Sequence, residues 1–229
     1  MLAPMSTHRN ASPFLGIVML DTRFPRPLGD VGNAASFDFP VRYAVVRGAS
    51  PQRVVRARSA GLLQPFIDAA RVLVADGASA ISTSCGFLVL FQRELQAALP
   101  VPVWTSSLLM LPSLKRPGVL TVDAAALGAD HFLAAGADPA TPIEGLADGC
   151  ELQRTLLGNL PRLDVDAARA DVVTAARRLV ERAPHVESIV LECTNLPPYA
   201  DAVRAATGRP VHDIRTFLHQ RWHALQDRP

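Results

Sequence analysis

Cys85 and Cys193 are the residues of this sequence best placed to do chemistry. Each stands where a short apolar run gives way to a helical pattern, in SAISTSCGFLVLF and SIVLECTNLPPYA. At a helix N-terminus the free N–H groups and the macrodipole favour a thiolate, so both thiols are expected with a lowered pKa. A thiolate on one face of a carbon and a thiol on the other can take a proton from one side and return one to the opposite side. The N–H groups of the two turns can also hold a substrate carboxylate. Thr83, Ser84 and Gly86 beside the first thiol, and Thr194 and Asn195 beside the second, add short hydrogen-bonding groups and close backbone. Pro197-Pro198 suits the first turn of the second helix, where a missing N–H is harmless. Asp21 and Asp123 each end an apolar run. A carboxylate near a thiol can accept its proton or orient it, and Asp21 is the candidate for that catalytic part. Thr22, Arg23, Thr121 and Asp123 are the adjacent candidates for substrate binding. Arg23 would grip a carboxylate bidentately, with Arg26 and Arg58 as further candidates for that task.

Positioning of these residues falls to a βα rhythm. FLGIVML (14–20) is short, wholly apolar and ends at Asp21, and VRYAVVRG (41–48) follows a loop rich in Pro and Gly (23–40). Residues 51–75 carry apolar side chains at helical spacing, 78–83 is a further apolar run, and 87–99 a further helical pattern. Wholly apolar strands alternating with helices predict an α/β fold with parallel sheets covered on both faces, whose functional loops lie at the strands' carboxyl ends. The second half rhymes with the first. Gly16 to Asp21 match Gly118 to Asp123 at a separation of 102 residues, and Ala69-Ala70-Arg71 match Ala175-Ala176-Arg177 at 106. Ile81, Cys85, Leu88, Pro102 and Val103 match Ile189, Cys193, Leu196, Pro210 and Val211 at 108. Small loop insertions produce such a drift, so the chain reads as two tandem lobes of about 100 residues each. Facing one another, each lobe would present one Cys and one Asp to a shared cleft.

The rest of the chain narrows the function classes. Of 229 residues 49% are hydrophobic, and Lys+Arg 23 against Asp+Glu 21 leaves a formal charge of +2 with no basic stripe. That balance argues against nucleic acid and membrane surfaces as partners. No apolar run reaches the ~18 residues of a membrane span. The opening MLAPMSTHRNASP has no signal-like apolar core and reads as a loose tail, so a cytoplasmic location is expected. Three cysteines without a CxxC spacing read as reduced thiols. Cys150, with no strand before it and no repeat partner, is expected to be inert. His219 and His223 flank Trp222 at a metal-capable spacing but without an HExxH glutamate, so they are expected to pack. His212-Asp213 is expected to end a strand and cap the final helix. No phosphate-binding glycine motif occurs. The sole lysine, Lys115, lies in the linker SLKRP, which leaves pyridoxal phosphate without a lysine for its Schiff base.

Thr83-Ser84-Cys85-Gly86 and Leu191-Glu192-Cys193-Thr194-Asn195-Leu196-Pro197-Pro198-Tyr199 resemble the two cysteine signatures of the aspartate/glutamate/hydantoin racemase superfamily. Leu20-Asp21-Thr22-Arg23-Phe24-Pro25 and Gly29-Asp30-Val31-Gly32-Asn33 resemble a bacterial branch of it. The resemblance runs from about Phe14 to the final helix. It implies two flavodoxin-like lobes in pseudo-twofold relation, an active site in the cleft between them, and no cofactor. It also implies that the last segment returns to the first lobe, giving domains of 14–105 plus 215–229 and of 106–214. The implied activity is racemisation or epimerisation of an amino acid or related carboxylate by Cys85 and Cys193, with a small-molecule carboxylate as partner and a homodimer allowed. A His follows the second Cys-Thr in the glutamate racemase branch. Here Asn195 stands in its place, which speaks against glutamate. Two alternatives stay open. An enzyme of the arylmalonate decarboxylase or maleate isomerase type would use the same fold, although a decarboxylase needs only one proton donor. A non-catalytic protein binding a small acid would have no use for two matched thiols.

Overall fold

The computed structural model describes residues 12–227. The N-terminal stretch read as a loose tail lies, but for its last two residues, outside them. The first half runs β1 (Phe14–Leu20), β2 (Val41–Val46), α1 (Pro51–Val55), α2 (Leu63–Ala75), β3 (Ala78–Thr83), α3 (Gln92–Ala98) and β4 (Val103–Trp104). The second runs β5 (Pro117–Thr121), α4 (Ala129–Ala134), β6 (Ile143–Gly145), α5 (Glu151–Leu157), α6 (Val165–Arg182), β7 (Ser188–Leu191), α7 (Ala200–Thr207), β8 (Val211–Asp213) and α8 (Ile214–Gln226). Two four-stranded parallel sheets result, in the orders β2-β1-β3-β4 and β6-β5-β7-β8. This is the α/β architecture of two flavodoxin-like lobes.

The internal repeat holds down to strand register. Gly16 pairs with Ile81 and Ile81 with Val103 in the first sheet; Gly118 pairs with Ile189 and Ile189 with Val211 in the second. Those are the residues that rhyme in the sequence. Both glycines have the same reason to be there. A Cβ on Gly16 would lie 2.7 Å from Ile81 Cδ1 and 3.1 Å from Leu73 Cβ, and one on Gly118 3.0 Å from Val186 Cγ1 and 3.1 Å from Leu179 Cδ2. The missing side chain lets α2 and α6 lie close over the two central strands.

Each β1 side chain is buried, alternately on two faces. Phe14, Val18 and Leu20 join the large core with α2 and the second lobe, while Leu15, Ile17 and Met19 pack under Ile214, Phe217, Leu218 and Trp222 of α8. The last helix therefore covers the first sheet, although it follows the last strand of the second. Asp213 starts it with a capping box: Thr216 N–H donates to Asp213 Oδ1 at 2.8 Å, and Asp213 N–H donates to Thr216 Oγ1 at 3.2 Å.

Two helical stretches differ from the periodicity reading. Residues 51–75 are split between α1 and α2, because Arg58, Ser59 and Gly61 have φ of 54°, 55° and 71° and turn the chain back. Residues 86–91 form a 3-10 helix before α3. Gly86 to Val89 are all buried, and an amphipathic α-helix does not bury four consecutive positions. Among the described residues no helix is long and apolar enough to cross a membrane.

Candidate active site

Strands β3 and β7 deliver the two thiols. Ser84 N–H continues the ladder to Val18 O at 3.0 Å, and its repeat equivalent, Glu192 N–H, reaches Leu120 O at 2.9 Å. Cys85 and Cys193 follow immediately, at the carboxyl ends of equivalent central strands, and both line one cavity. The lobes are stitched together at this point. Thr194 Oγ1 donates to Ser84 O at 2.6 Å, Val31 N–H to Thr194 O at 3.4 Å, and Asn195 Nδ2 to Asp30 Oδ2 at 2.6 Å.

The cavity encloses about 30 Å³, room for one or two water molecules. Its wall is apolar, from Leu20, Phe24, Val55, Phe87, Val122 and Leu156; its polar side is Ser84, Glu192, Thr194 and Asn195 with the two thiols. A substrate must displace part of this wall to enter. Helices α1 and α5 supply Val55 and Leu156 to it, and neither belongs to a sheet.

Burial reverses the expected thiol acidity. Cys85 is pushed up to about 12 by loss of solvent and by the charge of Glu192; the N–H groups of Phe87 and Leu88 and the charge of Arg26 pull the other way. Cys193 is likewise raised well above the ordinary thiol range, by burial first and Glu192 second, against the N–H of Asn195. The turn amides do face the sulfurs as the sequence reading expects. They are outweighed because the helix after Cys85 opens as a 3-10 turn and the one after Cys193 is a single 3-10 turn, Pro197–Tyr199, leading into α7, while loss of solvent is the largest influence on both thiols. In this closed state both cysteines are thiols.

Cys193 Sγ donates to Asn195 Oδ1 at 3.5 Å, and Asn195 passes the connection to Asp30. Asp30, 1% exposed, also accepts from Arg26 Nη1 at 2.8 Å and from Gly32 N–H at 2.7 Å. Arg26 continues through Nη2 to Thr22 Oγ1 at 2.8 Å and lies over the Phe24 ring. A fixed polar chain thus runs from the second thiol to the wall of the cavity. Glu192 is fully buried, with burial raising its carboxyl to about 7; Thr121 Oγ1 donates to its Oε2 at 2.7 Å, and Oε1 has no partner among the described residues.

Of the residues singled out from the sequence, Cys85, Cys193, Ser84, Gly86, Thr194 and Asn195 meet at the cavity. Thr83 is spent on structure, its hydroxyl donating to Thr105 O at 2.8 Å, and Thr121 touches the site through Glu192. Asp21, Thr22, Arg23 and Asp123 do not line the cavity. Asp21 accepts from Gly48 N–H at 3.0 Å, and Asp123 pairs with Arg56 across 3.2 Å. Arg23 is exposed, Arg26 is committed to Asp30, and Arg58 pairs with Asp130. Cys150 sits at the start of α5, away from the cavity. His219 faces Asp38 and the Phe39 ring, and among the described residues no His, Cys, Asp and Glu group has metal-binding geometry. Sequence reading missed Glu192 and Asp30 as site residues. The available signal was a lone carboxylate ending an apolar strand in the first case and an acid within a glycine-flanked loop in the second.

No protein-family model matches the chain. It is 32% identical over 244 residues to Dimethylsulfoniopropionate lyase 7 of Emiliania huxleyi (strain CCMP1516), spanning 95% of this chain and 68% of that protein. It is 31% identical over 245 residues to the dimethylsulfoniopropionate lyase of Durusdinium sp. clade D, spanning 93% and 78%. Among solved structures, arylmalonate decarboxylase superposes with a TM-score of 0.62 at 19% identity over 94% of this chain and 93% of that one. Allantoin racemase from Pseudomonas fluorescens superposes with a TM-score of 0.59 at 15% identity, over 93% and 90%. At such identities the likeness is one of fold.

Proposed function

Because the chain belongs to the family of the dimethylsulfoniopropionate lyases and shares the fold of arylmalonate decarboxylase and allantoin racemase, we propose that it is a lyase that removes the proton α to a carboxylate and expels a neutral sulfide from the β carbon. The observation that carries this reading is the pair of thiols ending equivalent strands and lining one cavity. Racemisation and elimination both begin with proton removal next to a carboxylate, whereas decarboxylation forms its carbanion by C–C cleavage and ends by taking up a proton. The outcome depends on what the β carbon bears. With a dialkylsulfonio group there, the electrons of the broken C–H bond form the C=C bond and those of the C–S bond leave on sulfur. One thiolate and one zwitterionic substrate yield one thiol, one dialkyl sulfide and one acrylate, so charge balances. The proton then returns from the thiol to solvent.

Each residue has a distinct task on this reading. One of Cys85 and Cys193 is the base, and the other faces it across the α carbon. The N–H groups of Phe87 and Leu88 and of Asn195, already turned to the sulfurs, are the donors nearest to where carboxylate charge builds up. Asn195, held by Asp30, keeps the second thiol oriented.

The test is incubation of the purified chain with dimethylsulfoniopropionate, following dimethyl sulfide in the headspace and acrylate by NMR. Release of the two in equal amounts is expected, with Cys85→Ser and Cys193→Ser each lowering turnover about 100-fold or more. A folded protein that releases no sulfide, or release that survives both substitutions, overturns the reading. Racemisation of an amino acid or related carboxylate is the second reading, favoured by the matched thiols, since elimination needs only one base. It is recognised by α-deuteration of a chiral acid in deuterated water without any product of elimination.

A further inference from the structure

We propose that Glu192 is the specificity residue of the cavity, its unpartnered carboxyl oxygen receiving a methylated organic cation, of which dimethylsulfonium is the case at hand. The inference rests on the lyase reading above for the identity of that cation. It rests on geometry for the rest.

The repeat isolates the residue. Ser84 and Glu192 are equivalent, each the last ladder residue before its cysteine, bonded to Val18 O and Leu120 O respectively. In the first lobe the serine hydroxyl is used up by an N–H from Leu20 at 2.9 Å. In the second lobe the symmetry is broken by a carboxyl group that is larger, acidic and only half satisfied. Oε2 accepts from Thr121, while Oε1 is buried without a donor among the described residues. A buried acceptor left unmade costs stability and calls for a partner that arrives with a ligand. The other lobe holds the carboxyl at the cavity: a Cβ on Gly86 would lie 2.3 Å from Oε1, so the carboxyl fills a notch that only glycine leaves open, and both residues line the cavity. Arg26, whose charge is felt at Cys85, is already committed to Asp30 and Thr22.

The cavity wall decides which cation. A primary ammonium needs three acceptors; on the polar side Ser84 Oγ and Asn195 Oδ1 already accept from Leu20 N–H and Cys193 Sγ, and the wall of Leu20, Phe24, Val55, Phe87, Val122 and Leu156 offers none. A sulfonium or quaternary ammonium has no N–H to satisfy, presents methyl groups to apolar and aromatic surface, and needs only charge compensation. One bare carboxylate oxygen among apolar side chains matches that requirement. The placement also couples binding to chemistry. After burial, the charge of Glu192 is the largest influence raising both thiols. A cation seated on Glu192 cancels that charge and eases thiolate formation in the occupied site alone.

The experiment measures binding in the Cys193→Ser background, where turnover is suppressed. Dimethylsulfoniopropionate is compared by calorimetry with 4-methylpentanoate, its carbon isostere, which keeps the carboxylate and lacks the positive charge. Without the Glu192 substitution the sulfonium acid is expected to bind about tenfold or more tightly than the isostere. Glu192→Gln should bring the two affinities together, chiefly by weakening the sulfonium acid. Glu192→Met, of similar size, serves if the glutamine variant does not fold. Equal binding of both probes with Glu192 present, no binding of the sulfonium acid, or a preference that survives the substitution would each overturn the proposal. The lyase reading is scored separately by sulfide release. Release with no role for Glu192 removes this inference alone, whereas a Glu192-dependent preference without release removes the lyase reading alone.

Discussion

At the scale of single residues the site is governed by burial rather than by helix termini. The turn amides at Cys85 and Cys193 favour thiolates, yet both thiols are held high because the interlobe seam excludes water and carries Glu192 between them. Glu192 itself has a consequence for folding that can be read without any substrate. Its carboxyl titrates at about 7 when folded against an ordinary value of 4.5. A raised folded pKa means that its favourable contribution is complete below pH 4.5 and is lost as pH rises through 7. Wild type should therefore lose about 3 kcal/mol relative to Glu192→Gln between pH 4.5 and pH 8, measured as the difference of two urea denaturation series. A difference that does not change with pH would mean that the carboxyl is solvated in solution.

At the scale of elements the repeat works because each central strand carries a glycine under its crossover helix. Gly16 lies beneath Leu73 of α2 and Gly118 beneath Leu179 of α6, and in either place a methyl group would sit closer than ordinary van der Waals contact and push its neighbours aside. Gly16→Ala and Gly118→Ala should each cost about 1–3 kcal/mol by overpacking, seen as a lower urea midpoint with an unchanged slope. Displacement of α2 or α6 also tilts β3 or β7, the strands that carry the thiols, so turnover should fall with stability. Substitutions that left stability intact would show that these helices have slack the structure does not show. Both strands were legible as short apolar runs, and both cysteines as their ends. The 3-10 turn after Cys85 was not legible, since a helical period predicts one buried face and this segment is buried all round.

At the scale of the whole molecule the two lobes share one apolar core, and the active site lies on the seam. Phe87 of the first lobe stacks edge-on against His131 of the second with centroids 5.0 Å apart, and Thr194 Oγ1 of the second donates to Ser84 O of the first at 2.6 Å. Chain order adds a second lock, because α8 follows the second sheet yet packs under the first. Lobes tied in this way should unfold together. Leu179→Ala, which empties a fully buried position in the second lobe, should cost about 2–5 kcal/mol and shift a single calorimetric transition to lower temperature. A thermogram that splits into two transitions would show that the lobes are independent and that the site can open by parting them.

The sequence by itself determined what depends on near neighbours along the chain. Wholly apolar strands, turn residues and a repeat containing Gly16/Gly118 and Cys85/Cys193 define two parallel α/β lobes and put one thiol at the end of a central strand in each. Tertiary structure decided what depends on neighbours across the seam. A strand-end side chain can face the cleft or the loop beside it, and Asp21 and Asp123 turned to Gly48 and Arg56 because those loops offered a donor. Asp30 became a site residue only when Arg26 and Asn195 closed on it from two parts of the chain. Glu192 acquired its chemistry from Thr121 in its own lobe and from the notch at Gly86 in the other. The physical reason is the range of electrostatics in a dry interior. The acidity of a buried group is set by every dipole, charge and missing water within a few ångströms, whatever its distance along the chain.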